Sequence, residues 1–340
     1  MSTVMHVTPA APSWRDRVVS MDQGHLIGVF AIALLLIGGL TIDGVLTVEN
    51  LRSIARLAAP LGVLAVAASI ALMSKNIDLS GIAVVGISAM AGVRLQTAHG
   101  LSELEAFLAV LVIAVVIGLI NGWLVAFVGI SSLVATLGTW ILFEGLFNAT
   151  LLSGDIVFTL PQQAIVRQIG TGRLLGVDLV ILVAAAVFVA AAFAMRHVTY
   201  GKLIKAAGDS PEAARFTGLP IRSIVIGVFV VVALLAAVSG ALYLGVSGSY
   251  SRAYAPGLDL MFNAITAAVI GGVSLSGGRG TILGVLAGTA FISIFVNLMI
   301  LLDVSVVMSS VLRGGLLLAA LAIDSSLHPR DEETSRAGDL

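Results

Sequence analysis

The side chains that could do chemistry are few and widely spaced. The chain has no cysteine, which excludes a disulfide framework, a thiolate zinc site and a cysteine nucleophile. His6, His25, His99, His197 and His328 are scattered and share no metal-ligand spacing, and no nucleophilic triad is readable. No catalytic and no metal-binding residue is therefore expected. The polar groups that stand out lie inside apolar runs. Glu144 sits in the middle of TLGTWILFEGLFNATLL, where a carboxylate must be paired, protonated or facing water. Two readings follow: a cavity-lining group or proton site, or an interhelical partner for Arg313, an amide or a backbone group. Asn121, Asn148, Asn263 and Asn297 lie at or near the same depth and read as interhelical hydrogen-bonding groups. A pathway for a polyhydroxylated solute would also use such amides, beside aromatic faces such as Trp140 and Phe143. Asp78 reads as a helix cap or a partner for Lys75.

What must position these groups is a membrane. Of 340 residues, 59% are hydrophobic and 11% charged, against roughly 45–50% and 25% in soluble domains. The mean hydropathy of +1.09 agrees, and no soluble fold could hide so much apolar surface. The formal net charge of −1 excludes a broadly basic nucleic-acid binder. A helix crossing the hydrocarbon core needs about 20 mostly apolar residues. Ten segments qualify: 25–42, 57–74, 77–97, 104–128, 131–152, 175–195, 223–246, 258–275, 281–302 and 304–323, the last two split at Asp303. The expected fold is an all-α integral membrane protein, a polytopic bundle of about ten transmembrane helices. Both termini then lie on one side. With a cytoplasmic N-terminus, eleven of the eighteen Lys and Arg fall on inside segments, six outside and Arg313 within the last span. The positive-inside rule therefore puts both ends in the cytoplasm. Residues 1–22 and 324–340 read as polar cytoplasmic tails, the second disordered, around a transmembrane domain at 23–323. The first apolar run lacks an A-x-A-like cleavage site and reads as an uncleaved helix. No connection is long enough for a soluble catalytic or nucleotide-binding domain, so any work done with ATP must come from a partner.

The longest and most basic inside connection is 196–222, RHVTYGKLIKAAGDSPEAARFTGLPIR. Ser210 suits an N-cap, Pro211 the first helical position and Glu212 the dipole. Gly218 and Pro220 stop the helix. The result is a short helix of about two turns outside the membrane, with Ala213 and Ala214 small enough for another protein to approach and Arg215 placed to orient it. A second connection holds Leu275, Ser276, Gly277, Gly278 and Arg279. Its LSGG resembles the signature of ABC ATPase domains, but the chain has no GxxxxGK[ST] loop to accompany it. Gly277, Gly278 and Arg279 read as a tight inside turn in which glycine permits positive φ. Gly118 with Gly122, and Gly284 with Gly288, form GxxxG pairs suited to close helix contact.

Taken in order, IDLSGIAVVGISAMAG at 77–92, NGWLVAFVGISSLVATLGTW at 121–140, YGKLIKAAGDSPEAARFTGLP at 200–220 and LDLMFNAITAAVIGGVSLSGGRGTILGVLAG at 258–288 resemble the permease subunits of bacterial ABC importers of the ribose, xylose and galactose type, including the autoinducer-2 and rhamnose permeases. The resemblance spans about residues 45–322. It departs where relatives carry GGIDLSVGS and this chain has SKNIDLSGI, with Lys75 and Asn76 in place of glycines, and where Glu144 replaces a commonly basic residue.

The resemblance implies a permease subunit moving a monosaccharide or related polyol across the inner membrane, with no cofactor of its own and ATP hydrolysed by a separate ABC ATPase. It maps ATPase docking onto Gly208, Asp209, Glu212, Ala213, Ala214, Arg215 and Gly218. It also implies a periplasmic sugar-binding protein delivering to the outer face around 153–174 and 247–257, and a second permease subunit, identical or related. Asn121, Trp140, Glu144, Asn148, Asn263 and Asn297 are the candidate translocation-path residues. The competing reading is an ion-coupled secondary transporter of a small polar solute, with Glu144 as its acid.

Overall fold

The computed structural model describes residues 23–150, 157–160, 164–251 and 257–327. Thirteen α-helices carry the described fold: α1 (Gln23–Thr41), α2 (Val48–Met73), α3 (Gly81–His99), α4 (Glu103–Trp123), α5 (Ser132–Thr150), α6 (Ile165–Thr171), α7 (Leu179–His197), α8 (Thr199–Asp209), α9 (Pro211–Phe216), α10 (Ile221–Ser247), α11 (Leu258–Ile270), α12 (Ile282–Leu301) and α13 (Val306–Leu327). A π-helical turn, Leu124–Val128, extends α4 and stops at Gly129. Among the described residues seven helices are long and apolar enough to cross a membrane, and α3, α11 and α13 are shorter apolar helices. The ten apolar segments read from the sequence fall on these helices, seven of span length and three shorter. Residues 1–22 and 328–340 lie outside the described residues.

Two helix boundaries differ clearly from expectation. α2 begins at Val48, nine residues early, because Thr47 caps it by accepting from the Asn50 amide. Arg52 and Arg56 therefore ride on α2 itself, and Arg56 donates to the Gly170 carbonyl of α6 at 2.9 Å. α13 runs on to Leu327, into the stretch read as tail. The fold is also not purely helical. At the end opposite α8 and α9, β1 (Val157–Thr159) pairs antiparallel with β4 (Ser249–Ser251), and Arg173–Leu174 (β2) with Val177–Asp178 (β3). The first ribbon joins the two stretches expected to form the outer face.

α2 and α10 are the axis of the bundle. α10 packs against α2, α3, α4 and α6, and α2 also meets α7, α11 and α12. Lipid tails are as apolar as leucine, so helices here associate through close packing and hydrogen bonds. Both GxxxG pairs sit at such contacts. A methyl on Gly118 or Gly122 would strike the α10 backbone at Val230 or Ile226, and one on Gly284 or Gly288 the backbone of Gly271 or Ala267. Buried hydroxyls add interhelical bonds: Ser239 donates to the Pro60 carbonyl and Ser88 to that of Ala237, each at 2.7 Å.

Candidate functional site

At one end of the bundle three separate stretches of chain meet. The first is the turn after α2, Ser74–Asp78. The second is α8 with α9. The third is the 271–281 turn between α11 and α12. Each has a local reason to turn where it does.

α8 is amphipathic, with Gly201, Ile204, Ala207 and Gly208 buried at the i, i+3, i+6, i+7 spacing of one helix face. It is held from four sides. Gly201 lies against the Ala194–Met195 backbone of α7. The Tyr200 hydroxyl donates to the Ile224 carbonyl of α10 at 2.8 Å, and burial pushes that phenol above its ordinary pKa. Lys205 Nζ donates to the Gly280 carbonyl at 2.9 Å, and loss of hydration pulls its ammonium below the usual lysine range. Gly208 ends the helix so close to the Met73 carbonyl that any side chain would overlap it.

The glycine turn completes the joint. Gly277 and Gly278 adopt φ of 90° and 72°, a left-handed geometry that costs other residues about 1–2 kcal/mol. The Gly278 amide donates to Met73 O at 2.9 Å. A Cβ on Gly277 would lie 2.9 Å from Lys75 Cβ and one on Gly278 2.7 Å from Asp209 Cα. Opposite them Lys75 itself has φ 61°; where the resembling permeases carry glycine, this chain holds a lysine in glycine's conformation. Asn76 braces the turn by donating to Ser74 O at 2.9 Å.

The docking candidates divide into two groups. Gly208 and Ala214 are buried; they seat the two helices on the bundle and present nothing outward. Asp209, Glu212, Ala213, Arg215 and Gly218 are exposed. α9 is a short helix of six residues, about two turns, with Ser210 Oγ accepting from the Ala213 amide at 3.3 Å. Two features escaped the sequence reading. One is α8, a helix within the 196–222 connection where the sequence points only to the shorter helix after Ser210, although its apolar residues recur at helical spacing. The other is Phe216, 92% exposed at the end of α9, for which an aromatic residue just before a helix stop was the only signal.

The six path candidates do not converge. Asn121 is buried in a network, its amide donating to Ser80 Oγ and its oxygen accepting from Thr139 Oγ1, both at 2.7 Å. Ser80 in turn donates through its amide (2.8 Å) and hydroxyl (2.6 Å) to Asp78, which caps α3 and does not pair with Lys75. Asn297 exchanges amide bonds with Asn50 at 2.9 and 3.0 Å. Both asparagines thus join helices. Trp140, with Phe143, packs onto the main apolar core, and Asn148 and Asn263 are half-buried on α5 and α11. Glu144 is exposed on α5 and is not the partner of Arg313. That guanidinium lies 3.7 Å from Asp259 of α11. Among the described residues no group of His, Asp and Glu could hold a metal ion.

A protein family described as "branched-chain amino acid transport system / permease component" matches residues 50–321. The chain is similar to the L-arabinose ABC transporter permease protein AraH of Azospirillum brasilense, 32% identical over 89% of this chain and 88% of that one. It is similar to the autoinducer 2 import system permease protein LsrC of Yersinia pseudotuberculosis, 30% identical over 80% and 76%. It is similar also to the probable ABC transporter permease protein YphD of Escherichia coli, 31% identical over 93% of both. No solved structure matches it.

Proposed function

We propose, from the premise that this chain belongs to the branched-chain amino acid transport system / permease component family, that it is the membrane-spanning subunit of an ABC importer for a monosaccharide or related polyol in the bacterial inner membrane. The observation that carries the reading is the inner-face joint. An ATPase can move a permease only by grasping something that protrudes and is fastened to the spans, and α9 is such a handle, linked by α8 to α2, α7, α10 and the α11–α12 turn. Asp209, Glu212, Ala213, Arg215, Phe216 and Gly218 form its outward face, and ATP is hydrolysed by the partner. Seven span-length helices with the three shorter ones make ten crossings, with both ends inside. ATP must favour one state of the pathway over the other to move solute at all.

The exposed face of α5 supports a second permease subunit. Leu133, Val134, Leu137, Ile141 and Leu142 are exposed around Glu144, and a bare carboxylate at that depth is not tolerated by lipid. A second copy covering α5 removes the problem and puts Glu144 and Asn148 at a shared pathway. Glu144 is exposed on α5, and the relatives are ABC importer permeases, which does not favour an ion-coupled carrier. The β1–β4 end suits delivery by a secreted binding protein. The test is Glu212→Ala with Phe216→Ala, reading ATPase co-purification and sugar uptake in cells. Both fall if α9 is the handle; wild-type values for both overturn the docking assignment.

A further inference from the structure

We propose that the pocket between α9, the π-helical end of α4 and the start of α10 binds the headgroup of an anionic phospholipid of the cytoplasmic leaflet. The inference rests on the proposed function only for which end is cytoplasmic. The pocket has a volume of about 970 Å³ and is lined by Lys75, Arg215 and Arg222 together with Val125, Phe127 and Val225 among others. No carboxylate lines it, and among the described residues none of the three cations has an ion-pair partner. α10 opens into it without a side-chain cap, adding the positive end of a 27-residue helix dipole.

The opposite wall is greasy. The Arg222 guanidinium carbon stands 5.0 Å from the centre of the Phe127 ring, a cation–π geometry. Phe127 is 53% and the adjoining Val128 50% exposed, at the end of a span where hydrocarbon meets headgroups. The occupant must therefore be anionic at one end and apolar at the other. A free anion would use the cations and leave Phe127 and Val225 in water. An acidic protein surface would do the same. A phospholipid satisfies both walls, its phosphate at Arg222 and Lys75 and its acyl chains along α4 and α10. Basic pockets between spans on the cytoplasmic side take such headgroups.

The test uses the full chain, extracted from bacterial membranes in mild detergent, with co-purifying phospholipid measured by mass spectrometry. Phosphatidylglycerol and cardiolipin should be enriched over phosphatidylethanolamine. Arg222→Gln and Lys75→Gln should each lower anionic-lipid retention about fivefold, and together more, while Arg222→Lys keeps most of it. Should a variant fail to assemble, the wild type in phosphatidylcholine nanodiscs carries the same test: added phosphatidylglycerol raises its thermal midpoint and inorganic phosphate does not. Unchanged retention in the double variant overturns the proposal, and so does an equal rise with phosphate alone, which would mark a free-anion site. It is overturned too if the ATPase strips the lipid from the wild type and the double variant cannot bind the ATPase, for the cations then serve the protein partner. An ATPase that never binds the wild type would count against the docking assignment and leave the lipid result standing.

Discussion

Gly208→Ala is the sharpest perturbation of the joint between α8, the end of α2 and the 271–281 turn. Its methyl would overlap Met73 O and stand 2.9 Å from Met73 C and 3.0 Å from Gly278 N. All three are backbone atoms, so no side chain can swing away. Overpacking of this kind costs about 1–3 kcal/mol. The methyl also wedges apart the Gly278 N–H···O=C Met73 bond of 2.9 Å, a loss of about 0.5–1.5 kcal/mol. Helix propensity works the other way: alanine within α8 recovers up to about 1 kcal/mol, because Gly208 does not need positive φ. The balance is about 0.5–4.5 kcal/mol against seating, a shift of roughly 2- to 2,000-fold in the docked population of α8. Hydrogen exchange on the detergent-purified chain reads this directly. Amides of 199–209 and of the 271–281 turn should lose protection together, with those of α3 and α4 unchanged. Gly218→Ala is the control. It forces a side chain into φ 78° but meets no atom within 4 Å, so it strains α9 locally and leaves the 271–281 turn protected. If Gly208→Ala leaves protection intact in both stretches, the three-way contact does not hold the joint and the reasoning fails.

Phe216→Ala removes a 92% exposed side chain, so the thermal midpoint should stay put while ATPase affinity falls by about 2 kcal/mol, the range of an aromatic anchor, readable by titrating the ATPase onto immobilised permease. Burial lowers the Lys205 pKa in the folded chain; the folded state thus releases that proton first, and stability rises with pH from the lowered folded value toward the unfolded value near 10.4. Lys205→Met should flatten that alkaline rise in thermal midpoint measured against pH. Replacing Asn50 with leucine leaves the Asn297 amide unpaired, and replacing Asn297 leaves the Asn50 oxygen unpaired while its nitrogen keeps the Val45 carbonyl at 2.9 Å; the double replacement should restore part of the loss, a coupling of about 0.5–2 kcal/mol in a double-mutant cycle.

How legible the molecule is from its residues depends on what enforces each feature. Lipid enforces span length and apolarity, so every apolar helix falls where the sequence places one. The N-cap at Ser210 and the positive φ of Gly277 and Gly278 are local and equally readable. α8 is different. Its apolar face is short, and what buries it lies some 130 residues back at Met73 and 70 ahead at Gly278. Nothing within 199–209 tells whether that face meets water or protein. Asn121 and Asn297 illustrate the same limit: residue type establishes that each needs a partner, but Thr139, Ser80 and Asn50 are found only through packing. Trp140 and Phe143 read as pathway aromatics beside Glu144, yet both pack against the apolar core while Glu144 stays exposed; Trp140 and Glu144 are four apart and share a side of the helix, so only packing separates them.

Lys75 ties the joint to the pocket and lets the two be separated. It holds φ 61°, which costs a non-glycine residue about 1–2 kcal/mol, and it is a cation of the 970 Å³ pocket. Lys75→Gly removes the backbone penalty. Against this, glycine loses more chain entropy on folding, about 0.4–1 kcal/mol. The net is a gain of up to about 1.5 kcal/mol, a rise of a few degrees in thermal midpoint for a chain of this size. Lys75→Gln keeps the strain and removes the same charge. If backbone and charge act independently, the two variants should lose anionic lipid alike, yet only the glycine variant should melt higher. A lysine tolerated in glycine's geometry then makes sense as a conformational loss accepted for a charge. A glycine variant that melts lower than wild type would mean that the Lys75 side chain stabilises the turn directly, and the separation of roles would be wrong.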